Sequence, residues 1–246
     1  MAAAIHMSRS DTDNVRQRSG WLIPIAVFVV TAGLSALFLL YYLAPAPTSL
    51  IEDRAVPTAR TDPIQMRVGK LSLTVPANYV MYQSARNGGK QTKLDLYATY
   101  PDFHGYTSAD AQTFASNAVD SPVVYMLARK DELNLNEQQK FQRIYVNYLA
   151  NTEGTPGPFG LTQYAFRDDS GYRGQDLFIG EGDHGPMMFI CARFSMQVQS
   201  PNCWRDMRLA KNVSLTYRFK RANLSHWREI ASGVETLMHS FITRPK

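Results

Sequence analysis

Between Ser19 and Ile51 the chain carries no Asp, Glu, Lys or Arg. A charge-free stretch of that length, dominated by large aliphatic residues, excludes an ordinary solvated segment, since such a run is stable only in hydrocarbon. Other absences concern chemistry. There is no Gly-x-Ser-x-Gly, no P-loop, no His-Glu-x-x-His and no Cys-x-x-Cys, so the common scaffolds for a serine nucleophile, a phosphate cradle, a zinc site and a dithiol redox centre are missing. No cofactor and no metal are expected. Internal repeats are also lacking, which argues against a solenoid or a propeller. No long low-complexity tract occurs, and with 45% hydrophobic residues the remainder can bury a core.

What is present begins with a membrane segment at residues 21–43. Its 23 residues, at about 1.5 Å each, span about 34 Å, enough for a hydrocarbon core of about 30 Å. Trp21 at one end and Tyr41 with Tyr42 at the other suit the interfacial aromatic belts, and Pro24 lies in the first turn, where its missing N–H costs little. Ala44-Pro45-Ala46 imitates a signal-peptide cleavage site. The apolar run exceeds a signal h-region of about 7 to 15 residues, however, and Pro47 would obstruct cleavage, so retention as an anchor is expected. Arg9, Arg16 and Arg18 precede the helix closely, while Arg54 and Arg60 follow after a gap, which places the N-terminus inside. The only two cysteines, Cys191 and Cys203, bracket a strand-turn-strand pattern and suggest a disulfide in an exported domain. The chain is thus expected in the inner membrane, with a periplasmic or other extracytoplasmic domain.

The expected organisation is a cytoplasmic tail at 1–20, the membrane helix at 21–43, a proline-punctuated spacer at 44–63 and an extracytoplasmic domain at 64–246. Ile64, Met66 and Val68 alternate with polar residues, Gly69-Lys70 can turn, and Leu71, Leu73 and Val75 resume the alternation, which signals a hairpin. Asn87-Gly88 suggests a second hairpin leading into Leu94, Leu96, Ala98 and Tyr100. A short helix is expected after Ser108, a strand over Val123–Leu127, and a longer helix from Asn136 carrying Phe141, Ile144, Tyr145, Tyr148 and Leu149. Strands then follow at 161–166, 172–179, 186–196 and 213–219. In the last of these, Val213, Leu215, Tyr217 and Phe219 point in while Ser214, Thr216, Arg218 and Lys220 point out. A helix beginning near Ser225 presents Leu224, Trp227, Ile230, Val234, Leu237, Met238 and Phe241 as one stripe. The fold class is α+β, an antiparallel sheet of about six to eight strands with two or three helices packed on one face.

Two features offer binding chemistry. The positive charge concentrates near the C-terminus, where Arg218, Lys220, Arg221 and Arg228 suggest an anionic counterpart, and nucleic acid is not expected in this compartment. The loop with Tyr100, Phe103, His104 and Tyr106 is unusually aromatic and either folds over the core edge or anchors a partner or glycan. The leading expectation is a membrane-anchored interaction module of the cell envelope, without catalysis, engaging a protein partner or an anionic envelope component. One alternative is a hydrolase-like enzyme using His104, His184, Asp102 or Asp183 as acid and base. Glu181, Asp183 and His184 share a turn whose composition suits a turn as well as a cation, and His226 with Glu229 share a helix face. Another alternative is an accessory subunit whose Ala32, Gly33, Ser35 and Ala36 form a small-residue strip toward other membrane helices.

Overall fold

Helix α1 spans Leu22–Leu43, and from Leu22 to Tyr42 every side chain is exposed. Its mean hydropathy is 2.5, and it is long and apolar enough to cross a membrane. The hydroxyl of Thr31 donates to the carbonyl of Val27 at 2.9 Å, which satisfies that hydroxyl within the helix itself. The computed structural model describes residues 20–43, 55–182 and 185–243, in two units at 1–52 and 53–246. The expected tail, apart from Gly20, and the expected spacer up to residue 54 lie outside the described residues. From Ala55 onward the chain already belongs to the second unit. Ala55 bridges to Tyr82, the guanidinium of Arg86 donates to the carbonyl of Val56, and the amide of Ala77 donates to that of Asp62.

The second unit is α+β. Strands β1 (Pro63–Val68) and β2 (Leu71–Pro76) form the expected hairpin, with Gly69 in the left-handed region at φ 58°. The Asn87-Gly88 hairpin does not form. Ser84–Asn87 is a 3-10 turn, and β3 (Gly89–Gln91) runs parallel to β1, giving a three-stranded sheet in the order β2-β1-β3. Gly88 serves this close approach: a Cβ there would lie 2.7 Å from the carbonyl oxygen of Gln65. Eight further strands form the main sheet: β4 (Lys93–Thr99), β5 (Val123–Lys130), β6 (Thr155–Pro156), β7 (Thr162–Ala165), β8 (Gln175–Gly182), β9 (Gly185–Ala192), β10 (Asn202–Ala210) and β11 (Val213–Lys220). Their order is β4-β5-β11-β10-β9-β8-β7-β6, with every neighbouring pair antiparallel.

Helices lie on both faces of this sheet, not on one. Helix α4 (Trp227–Phe241) follows a 3-10 turn at Arg221–His226 and buries Trp227, Ile230, Val234, Leu237, Met238 and Phe241. They meet Met126, Phe178, Phe189, Leu215 and Tyr217 of the main sheet and Met66 and Val75 of the small one in a single core. A second core on the opposite face gathers Leu149, Phe166, Leu177, Met188 and Ile190 beneath Phe141 and Tyr145. Helix α3 (Glu137–Arg143) covers it, starting on an Asn136 capping box. The expected longer helix breaks at Ile144, where φ is −116° and ψ is −68°, and continues as a 3-10 turn over Tyr145–Tyr148. Helix α2 (Ala111–Ala115) is the expected short helix after Ser108.

The main sheet has a seam between β9 and β10. They pair only at Cys191↔Cys203 and Ile190↔Trp204, and a disulfide joins Cys191 to Cys203. Continuing that register would pair Met188 with Asp206, but α3 takes the place of those bonds. The amide of Met188 donates to Glu137 Oε1 at 3.0 Å, and Lys140 Nζ donates to the backbone carbonyl of Asp206 at 3.1 Å and its carboxylate at 2.8 Å. Thus one helical turn satisfies backbone groups that the parted strands leave open. Glu137 also accepts two bonds from the Arg205 guanidinium, at 2.9 and 2.7 Å, and Glu235 of α4 accepts a third at 2.9 Å. Burial works against the Arg205 charge, yet the Glu137 carboxylate outweighs it and holds the pKa above the ordinary arginine value.

Candidate functional site

The eight residues expected to bind are dispersed rather than gathered. Phe103, in the left-handed region at φ 52°, is buried in the α4 core. Its ring fills the space over Gly233, where a Cβ would lie 2.0 Å away. Tyr100 donates its hydroxyl to Glu229 Oε2 at 2.6 Å, which also accepts from His226 Nδ1 at 2.8 Å. These hydrogen bonds, Tyr100 first and His226 second, hold the Glu229 carboxyl below its ordinary pKa. His104 Nδ1 donates to the carbonyl of Gly105 at 2.9 Å, and Tyr106 packs edge-on against Phe114. Asp102 is exposed. Asp183 and His184 lie outside the described residues.

The basic residues divide in the same way. Lys220 does not face solvent. It is 5% exposed and donates to Asn117 Oδ1 at 2.6 Å and Ser200 Oγ at 2.8 Å, while burial, then the Arg218 charge, lowers its pKa. Ser214, also expected outward, is buried as well. Arg221 donates to the carbonyl of Ala192 at 2.7 Å and to Asp176 at 3.3 Å, and Arg228 lies over the Trp227 ring. Lys220 and Arg221 thus bond to other parts of the fold, while Arg228 stays exposed. Arg218 remains exposed, 5.2 Å from the centre of the Tyr125 ring.

Arg218 stands in a recess that the sequence did not single out. The second core covers the outer face of the sheet only across β7 to β10. Over β4 and β5 one end of that face is covered, with Tyr97 buried against Phe114, and beyond it, across β4, β5 and β11, lies a groove of about 440 Å³ lined among others by Tyr82, Asp95, Tyr125, Leu127, Trp204 and Arg218. Strand register explains the assembly. Tyr97, Tyr125, Arg218 and Trp204 are successive cross-strand partners, and Asp95, Leu127, Thr216 and Asp206 form the next row. Cross-strand partners share a face, so both rows project outward while Met126, Leu215 and Tyr217 project into the α4 core.

Beside the groove is the loop that the disulfide closes. Phe194 is 72% exposed, Met196 86% and Val198 38%, and Val198 lines both the groove and an adjacent recess with Val119 and Met196. The loop is fixed from below: Ser200 Oγ donates to the carbonyl of Asn117 at 3.0 Å and accepts from Lys220. Buried Lys220 therefore helps position an apolar loop. The alternation Phe194-x-Met196-x-Val198 between the cysteines was the signal available in the sequence. Among the described residues, no three His, Cys, Asp or Glu side chains converge as a metal site would require.

No protein-family model and no curated protein matches the chain. Among solved structures it is similar to an immunity protein of the Stenotrophomonas maltophilia type IV secretion system, with a TM-score of 0.55 and 14% identity over 75% of this chain and 94% of that one. It is also similar to the Neisseria meningitidis iron-regulated outer membrane lipoprotein FrpD, with a TM-score of 0.46 and 12% identity over 78% of this chain and 98% of that one. At these identities the likeness concerns the fold alone.

Proposed function

We propose that the protein is a membrane-anchored interaction module of the cell envelope, whose open sheet half docks a partner protein. The observation that carries this reading is the groove over β4, β5 and β11, where aromatic and aliphatic side chains are left without cover beside the exposed Phe194–Val198 loop. A contiguous apolar surface rimmed by polar groups is characteristic of interfaces, and a tyrosine, a tryptophan and an arginine in one row are the residue types that dominate binding energy. In this reading α1 stays in the inner membrane as an anchor, with residues 1–20 inside and the domain in an oxidising extracytoplasmic compartment. The disulfide and the uncharged length of α1 support that placement. The fold likeness to an immunity protein adds one class of partner to try, a secreted protein met at the membrane.

The test is affinity purification of the full chain from native membranes, comparing wild type with Leu127→Asp. The reading expects a specific protein recovered by wild type and lost with Leu127→Asp at unchanged protein level. Recovery of the same proteins by both, or of none by wild type, contradicts it. A second reading, an envelope-acting enzyme, is favoured by the hydrogen-bonded set Tyr100, Glu229 and His226. That set lies outside the groove, so in this version Glu229→Gln abolishes activity on envelope material while partner recovery is unaffected.

A further inference from the structure

The groove has a charge pattern as well as a shape. Lys93 and Arg129 are cross-strand partners one row beyond Asp95 and Leu127, and both are exposed. Among the described residues, Asp95 is the only carboxylate lining the groove, and Lys93 lies 4.0 Å from it and over the Tyr82 ring. Arg129 and Arg218 have no carboxylate partner among the described residues, and Arg218 meets only the Tyr125 ring. Among the described residues, the groove and its rim over β4, β5 and β11 thus carry Lys93, Arg129 and Arg218 against Asp95, with neither arginine in an ion pair. Tyr125, the partner of Arg218, is four residues from Arg129 on β5, or about 13 Å at about 3.3 Å per residue. Between them lies Leu127.

We infer that the docked partner presents an acidic segment with an apolar residue at its centre. The apolar side chain enters the recess between Tyr125, Leu127 and Trp204, and carboxylates on either side of it pair with Arg218 and Arg129. This rests on the docking reading above and adds the partner's chemistry. Arginine forms bidentate bonds with carboxylates, and pairing at a desolvated rim rewards a matched partner more than a water-exposed one. A lipid surface fits less well, because a bilayer offers a plane of headgroups where this face offers a recess between two separated charges.

The experiment selects phage-displayed random peptides on the full chain in nanodiscs of zwitterionic lipid. The enriched peptides are then compared on wild type and on the Arg129→Glu/Arg218→Glu double variant. Both positions are exposed, so the variant folds, and an unchanged melting temperature verifies it. The expected peptides carry Asp or Glu on both sides of Leu, Phe or Trp, bind the variant about tenfold more weakly, and weaken with rising salt. Enrichment without carboxylates, equal binding to the variant, or no enrichment overturns the inference. Peptides lost with Leu127→Asp but indifferent to the arginines overturn it while leaving the docking reading intact, whereas partner recovery indifferent to Leu127→Asp removes that reading itself. Phosphatidylglycerol vesicles serve as a second probe, and displacement of the peptides by them, with the same dependence on Arg129 and Arg218, overturns it in favour of a lipid surface.

Discussion

The outer face of the main sheet divides into two halves built from the same alternation. Over β8, β9 and β10, the outward residues Leu177, Ile190 and Trp204 meet Phe141 and Tyr145 and become a core. Over β4, β5 and β11, the outward residues Asp95, Tyr125, Leu127 and Arg218 join neither hydrophobic core and line a groove. Sheet geometry treats the two halves alike. What separates them is α3, which is seated at the seam by Glu137 and Lys140 and reaches no further across the sheet. An apolar strand face becomes core or docking surface according to what covers it, and the covered half is held by charges that the open half leaves unpaired.

That contrast predicts which changes cost stability and which cost binding. The largest loss belongs to the seam: Arg205→Ala removes a buried cation and leaves the half-buried carboxylates of Glu137 and Glu235 unpaired, and about 3 kcal/mol should disappear in thermal unfolding of the full chain in detergent. Next is the Cys191→Ala/Cys203→Ala pair, which removes the covalent link where β9 and β10 share only two register pairs; the chain-entropy model gives about 3 kcal/mol, measured as a lower midpoint in urea. Gly233→Ala drives a methyl into the Phe103 ring and should cost about 1 to 3 kcal/mol, lowering the melting temperature by several degrees.

On the open half the outcome should reverse. Arg218→Glu should leave stability within about 0.5 kcal/mol of wild type, while partner recovery from membranes falls sharply; a melting shift as large as that of Gly233→Ala would erase the distinction between the halves. The smallest effect concerns Glu229. Its pKa is depressed in the folded protein below the ordinary 4.5, so its contribution is present above that value and is lost as pH falls through the lower folded value. Glu229→Gln should therefore melt slightly below wild type at neutral pH, and the difference should close in acid.

Much of the covered architecture is legible in the sequence. The alternation in β1 and β2 and the α4 stripe are periodic signals with one physical reading each, and the charge-free run of α1 marks a long apolar helix. The seam is harder to see, since β10 carries Arg205 on a core-facing position between Cys203 and Met207, and an inward arginine reverses the expected polarity of a strand. Lys220 misleads for the same reason: its alternation with Phe219 places it outward, yet Asn117 and Ser200 bury it. For β5 the difficulty is of another kind. Val123 through Leu127 is apolar on both faces, a pattern shared by a fully buried strand and by one that awaits a partner. Of the residues singled out from composition, Arg218 alone lines the groove, because Tyr125 and Trp204 become its neighbours only through strand pairing.

The central claim is that the open half faces a protein in the cell. It is tested most directly by placing a photo-crosslinking amino acid in the full chain, in its own membrane, at Leu127 or Arg218 on the open half and at Lys90 or Ser232 elsewhere on the domain. The account predicts one discrete crosslinked protein from Leu127 and Arg218 and none from Lys90 or Ser232. Equal crosslinking from all four positions, or crosslinking from Lys90 and Ser232 alone, would contradict it.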